Sequence, residues 1–439
     1  MKKGLLFAIM LMGIVSLGFT LQISWTVNNT ATWVETVNGI RNGGNNRGHT
    51  INVMGNFSSP SSGVENTFGY LSGITVTIQG NGSISLSSTG VLLQIGGNQT
   101  IVIRDITLQG HNNNNNSVVV VNAGGTFQMV GNATVANNTR AGNGGGVYIN
   151  GGNFIMQDNA SVRNNVANAS NPGNEWVHGG GVYITNGGTF MMQDNASVVS
   201  NASNVISGGG GVSVHGGVFT MQDNASVSGN SARFSAGVDV ERGTFIMQGG
   251  IVSDNTATNF GGGVGVRDTF IMYENASISD NISGAGAGGI HIFGTFRMYG
   301  GTISGNNASF GGGIIVREGG SFVLQDGTLT GNTAVRDNTV WPNTFGIGGG
   351  VLIFRDAAFT MQGGLLSGNT ASQMGGGVWT EGWFIKTGGI IYGRDAEAGV
   401  RNIAINQGHV IFNVITNNWR NTTAGSTMNT GSFGFWLND

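Results

Sequence analysis

The sequence predicts an all-β fold: a single-stranded, right-handed parallel β-helix, with about three strands and about 25–26 residues per coil and an N-terminal helical cap. Three observations predict it. A phrase of roughly 26 residues recurs along most of the chain, as in GTFIMQGGIVSDNTATNFGGGVGV at 243–266. Its apolar runs, at 245–247, 251–252 and 264–266, are too short for helices and are closed by Gly, Asn or Asp, as strands and turns are. Finally, the copies align on fixed columns, so that like residues would stack on like at the ~4.8 Å strand spacing.

The first column is a Phe-x-Met step: Phe127/Met129, Phe154/Met156, Phe190/Met192, Phe219/Met221, Phe245/Met247, Phe270/Met272, Phe296/Met298, Phe322/Leu324 and Phe359/Met361. A strand alternates its faces, so residues two apart point into one core. Next comes an Asn: Asn138, Asn165, Asn201, Asn230, Asn255, Asn281, Asn306, Asn332 and Asn369. Asn tolerates left-handed backbone and its amide can bond to the coil above, which suits a tight corner. A Gly run then leads into Val or Ile, from Val147 to Val378, and suits a corner where backbones approach closely. Met and Asn are nine residues apart at a DNAS corner (Met192 to Asn201) and eight at a GGT corner (Met298 to Asn306), so the extra residue falls in the turn.

Composition narrows the class. The 439 residues could make two or three ordinary domains, but the repeat argues for one elongated body. Charged residues are 9%, against ~25% in ordinary domains. With a net charge of -3 and no basic stripe, nucleic acid is not an expected partner. The absence of Cys excludes disulfides, thiolate metal sites, a cysteine nucleophile and a lipoprotein anchor.

Along the chain, 1–20 reads as a signal peptide: Lys2 and Lys3 precede an apolar run at 5–17. That run is short for a membrane span, so no integral span is expected after cleavage. Cleavage would follow Ser16-Leu17-Gly18 or Gly18-Phe19-Thr20. The cap, 21–48, holds one helical pattern at 32–42, with a Thr32/Glu35 capping box and Trp33, Val37 and Ile40 on one face. Such a helix would cover the open first coil, whose bare edge invites aggregation. The β-helix itself is expected over 49–386: degenerate to Gly110, regular from 124, with an Asn run at 112–116 reading as a solvated loop. Lys386 in the Met column marks the end of the stack and is expected to meet water. The last segment, 387–439, breaks the repeat and reads as a final coil and cap, covered by Trp419, Phe433, Phe435 and Trp436.

These phrases resemble the bacterial surface repeats typified by the chlamydial polymorphic outer membrane proteins, whose signatures are GGA[ILV] and FxxN. The counterparts are GGGV at 144–147, 261–264 and 375–378, GGGI at 311–314, and [IV]SxN at 227–230, 252–255, 278–281 and 303–306. The likeness covers about 124–369. It departs in having Ile or Val for the family's Phe, and in lacking a C-terminal run of strands long enough for a membrane barrel, so it does not carry autotransport with it. More loosely, the chain is similar to secreted β-helix repeat proteins of spirochaetes and anaerobes and to the pectate-lyase-like superfamily. The resemblance implies a secreted or outer-cell-surface protein of a bacterium: a non-enzymatic adhesin or structural rod. Its partner would be a protein or glycan of a host or neighbouring cell, with no cofactor and no metal.

Two places could carry more than architecture. The outward positions of the third strand bring His215, Asp239, Glu241, Arg267 and His291 onto one face within roughly 15 Å at strand spacing. Pectate lyases and polygalacturonases place acids and an arginine on an exposed sheet, so these five are the catalytic candidates if the chain cleaves polysaccharide. Opposite charges on neighbouring strands are also ordinary solvent-face polarity. Paired Asp with Gly-His-Gly, an Asp-rich calcium cluster and GGxGxDxU nonapeptides are all missing, and the Asn-x-Ser/Thr triplets read as corner residues. Secondly, insertions at 169–178 and 335–347 lie at one corner, and each holds a Pro and a Trp (Pro172/Trp176, Trp341/Pro342). Corner insertions of solenoids often form binding faces, which makes Trp176 and Trp341 the partner-binding candidates; alternatively each Trp folds back as a local satellite core.

Overall fold

The structure, a computed structural model, describes residues 22–61, 65–169, 176–204, 208–335, 346–393, 395–405, 411–413, 418–420, 428–431 and 434–436. The signal-peptide expectation at 1–20 therefore lies outside the described residues, as do Pro172, Trp341, Pro342 and the side chains of Trp419, Phe433, Phe435 and Trp436. Over the rest, the chain winds into an all-β parallel solenoid of about 13 turns, with a single helix near the N-terminus.

The columns read from the sequence are columns in space. Phe127 pairs with Phe154, Phe154 with Phe190, and so on in register to Phe384. The ten rings stack with centroids 4.6–5.1 Å apart, which is the strand spacing itself. All are essentially fully buried, and so are the Met, Val and Ile columns beside them. Burying each large side chain is worth ~1.5–3 kcal/mol, and each stacked aromatic pair ~0.5–1.5 kcal/mol more.

At the corner, Asn281 shows how the Asn column works. Its backbone N–H and its Nδ2 both donate to Asn306 Oδ1, at 3.1 and 3.0 Å, and Nδ2 also donates to Val252 O at 3.0 Å. Its own Oδ1 accepts from Asn255 N and Nδ2. The ladder runs beyond the predicted column, from Asn114, which donates to Asn138 Oδ1, to Asn402, which accepts from Asn369. Asn114 is thus buried within the Asn run expected to be a solvated loop. The left-handed backbone predicted for the ladder Asn falls one residue earlier instead, at Asn137, Asn164, Ser200, Gly229, Asp254, Asp280 and Gly305. The corner thus splits two demands: the first residue must tolerate positive φ, and the second must carry an amide.

To the three predicted strands the structure adds a fourth. The short segments after each ladder Asn pair with their copies in a separate ten-stranded sheet, from Thr139–Ala141 to Ile403–Ala404. Runs such as Thr333–Ala334 are two residues long and show no alternation to read. This fourth strand carries the chain outward, and the Gly run brings it back against the neighbouring coil. A Cβ on Gly263 would lie 2.7 Å from Gly289 O and 2.9 Å from Asn281 Nδ2. The flap so formed covers the outer side of the third strand. Ile315 and Leu352, outward on that strand, are fully buried and join Trp379, Ala287 and Ile347 in a second small core.

The ends are closed differently. Strand Gln22–Val27 precedes the helix and pairs in parallel with Gly48–Val53. Helix Thr30–Arg41 (α1) packs Trp33 and Ile40 into the main core. Its capping box is Asn29 with Thr32, rather than Thr32 with Glu35. At the far end Ile411–Asn413 still pairs in parallel with the coil below, after which antiparallel strands follow. Lys386 does not meet water: it is 2% exposed, its Nζ donates to Gly389 O at 2.7 Å, and its strand is covered by the antiparallel Met428–Gly431.

Candidate functional site

Under the flap, the third-strand face is not the open surface that the sequence suggested. Its outward positions are Tyr148, which is half-buried, and then Tyr183, Ser213, Asp239, Gly265, His291, Ile315, Leu352 and Trp379, all buried. Ile, Leu and Trp in this column were the signal that it could not be a solvent face.

The five candidate residues separate into two groups. Around Asp239, which is 1% exposed, Arg267 Nη1 lies 3.8 Å from Oδ1 and His178 Nδ1 lies 3.6 Å from Oδ2. Both contacts are too long for hydrogen bonds, and both carboxylate oxygens are buried without one. Arg267 Nη1 is bound at 2.7 Å to Glu241 Oε2. Glu241 is out of its predicted column: the register shifts between Val214 and His215, so His215 pairs with Arg242 and Glu241 becomes an extra residue. The His215 ring lies 4.5 Å from that of His178. His291 stands apart, between Phe260 at 5.1 Å and Phe293 at 4.6 Å. There Phe234, Ser235, Phe260, Arg267, Phe293 and Arg317 line a cleft of about 180 Å³ with it. Sequence reasoning did not choose His178, Phe260 or Arg317 as site residues, although Arg317 falls in the same outward column as Glu241 and Arg267; His178 ends the insertion that was singled out for its Trp.

Burial alone would raise the Asp239 pKa, but the His178 imidazole, Arg267 and Ser235 outweigh it and hold the carboxyl below its usual range. His215 is held below 6.5 by burial, then by His178. Burial, then Arg317 and Arg267, pushes His291 down to about 3. Tyr183 is pushed up to about 12 by burial, then by Tyr148. A general acid needs a carboxyl whose pKa is raised toward the working pH; the carboxyl that shifts in this cluster moves the other way and is sealed from solvent. Among the described residues, no three His, Asp or Glu side chains converge as metal ligands.

Of the two tryptophans, Trp176 is 57% exposed, with its ring 6.4 Å from His178 and 6.3 Å from Phe234. The neighbouring Val177 turns inward with Ala167 and Ala169 as a small satellite core, which leaves the Trp outside it. No protein-family model matches the chain, and neither a curated protein nor a solved structure matches it.

Proposed function

We propose that this chain is a secreted or cell-surface rod of a bacterium, non-enzymatic, serving as an adhesin or structural element that meets a protein or glycan of another cell. The observation that carries this reading is the burial of Asp239, the central acid of the candidate face: it is 1% exposed, beneath the flap and out of a substrate's reach. The leader-like segment at 1–20 and the likeness of the GGGV and [IV]SxN phrases to polymorphic outer membrane protein repeats support the location. The exposed Trp176 is a suitable anchor for a partner, since aromatic side chains dominate interface energetics. Among the described residues, no helix is long and apolar enough to cross a membrane.

A polysaccharide-active enzyme is the second reading, favoured by the Arg267–Glu241 pair at the edge of an aromatic-lined cleft. Cell fractionation, with a depolymerisation screen on acidic and neutral glycans, separates the two. The rod reading expects protein in the extracellular or surface fraction and no turnover. Turnover lost in Asp239→Asn and Glu241→Gln would replace it with the enzyme.

A further inference from the structure

The column three residues beyond each third-strand Val or Ile of the Gly run carries, in successive coils, Arg267, Phe293, Arg317 and Phe354. These form an alternating stack of cations and rings. Arg267 Cζ lies 5.4 Å from the Phe293 centroid; Arg317 Cζ lies 5.8 Å from the Phe293 centroid and 4.3 Å from that of Phe354. Sandwiching a guanidinium between ring faces fixes its plane and leaves its N–H edge free, the arrangement that suits a planar carboxylate. The two arginines differ. Arg267 is committed to Glu241, whereas Arg317 has no carboxylate within 4.0 Å among the described residues, and its Nε is buried without a partner. Beside it in the same cleft, His291 is 8% exposed and its Nε2 is likewise buried without a partner. Buried polar groups are nearly always satisfied, so two orphans in one cleft point to a missing ligand atom.

We propose that this cleft binds one carboxylate carried on a ring, with the Arg317 guanidinium and His291 Nε2 meeting the anion and the ring resting in the cleft that Phe234, Phe260 and Phe293 line. The volume, about 180 Å³, is below the ~300–1,000 Å³ of pockets that enclose a drug-sized ligand, and fits a single ring. His291 is neutral at neutral pH, so it can offer the anion a hydrogen bond while Arg317 supplies the charge. The inference rests on reading the rod as a binding module and names the chemistry of one ligand for it.

The test is titration of the purified full chain with D-glucuronate, benzoate, D-glucose and acetate, followed by calorimetry and by the imidazole ¹⁵N resonances. One or both ring acids are expected to bind, with glucose and acetate at least tenfold weaker and the His291 Nε2 resonance shifted on binding. Binding of glucuronate assigns an acidic sugar, and binding of benzoate an aromatic acid. Arg317→Gln should weaken the ring acid at least tenfold. Arg317→Lys should do nearly the same, because an ammonium keeps the charge but not the stacked fork. Arg297→Gln, on the Phe-Met strand of another wall, should change nothing. No binding of either acid, or an Arg317→Gln variant with an unchanged melting curve and wild-type affinity, overturns the proposal. Should the variant not fold, a His291 resonance that stays fixed under saturating acid in the unaltered chain overturns it equally. A rod found at the cell surface that takes neither acid sinks this inference alone and leaves the proposed location standing.

Discussion

Asn281 makes five hydrogen bonds with its backbone N–H and side-chain amide, all of them to residues of neighbouring coils. Replacing it by Ala strands the buried backbone N–H of Asn255, halves the partners of Asn255 Nδ2, and leaves Val252 O without that donor. An unsatisfied buried group costs ~1–3 kcal/mol and each lost bond ~1 kcal/mol, so Asn281→Ala should destabilise by about 3 kcal/mol in urea titration. Asn281→Asp is the sharper experiment. It keeps the acceptor that Asn255 uses but turns a carboxylate toward Val252 O and Asn306 Oδ1, both acceptors. Ionised, it repels them; protonated, it can donate to one. Its deficit relative to wild type should therefore be larger at pH 7 than at pH 4, and equal deficits would contradict the ladder as the reason for this column. The Asn column was legible because an amide repeated at constant phase points to bonding from coil to coil. The positive-φ residue before it was not, because Asn, Ser, Asp and Gly all serve there and leave no single letter to follow.

Among the elements, the fourth strand was the one the sequence hid. Period-2 alternation needs four or more residues to be visible, and Thr370–Ala371 offers two. The Gly run after it was conspicuous, yet its reason needed the neighbouring coil: the return leg is pressed against the backbone of the next turn. Gly263→Ala tests this. The added methyl would meet Gly289 O at 2.7 Å and Asn281 Nδ2 at 2.9 Å, both held by the solenoid's own hydrogen bonds, so neither can yield cheaply. Overpacking of this kind costs ~1–3 kcal/mol. A melting-temperature drop is expected for Gly263→Ala, with Asp280→Gly, at a position where φ is already 57°, close to neutral. This unread element also decides the candidate site. Because the flap covers the third-strand face, the sequence could bring Asp239, Arg267 and His291 to neighbouring coils but could not reveal that Asp239 and His291 lie beneath a lid of backbone while Arg267 stays at the surface. It likewise gave no sign of the bulge that displaces Glu241 from His215.

For the whole molecule, the covered charged layer makes the middle coils sensitive to acid. His215 and His291 titrate in the fold below the 6.5 of the unfolded chain, so the unfolded state binds more protons below about pH 6.5. Their contribution is fully present above that pH and falls as pH drops toward about 3 for His291. The Asp239 carboxyl is also held below its unfolded value, so its contribution is present above 3.8 and is lost as pH falls through the lower folded value. All three signs agree, in different windows: acidification from pH 7 to 4 destabilises the region through His215 and His291, by a few kcal/mol at this order of shift, and Asp239 adds its loss only below 3.8. The groups that face the layer are His178 and Arg267 at Asp239, and Arg317 and Arg267 at His291. In a solenoid each turn contacts its neighbours alone, and stability is close to a sum of local terms. The loss should therefore be regional. Hydrogen exchange at pH 4, corrected for intrinsic rates, should open the amides of Val238–Ser253 and Ile290–Ile292 before those of Thr126–Val130 or Ala358–Met361. In His291→Phe, which keeps a ring between Phe260 and Phe293 but cannot take up a proton, Ile290–Ile292 should stay protected to lower pH. Uniform opening along the rod, or an unchanged response in that variant, would mean that the layer is inert to pH and that acid acts on the solenoid as a whole.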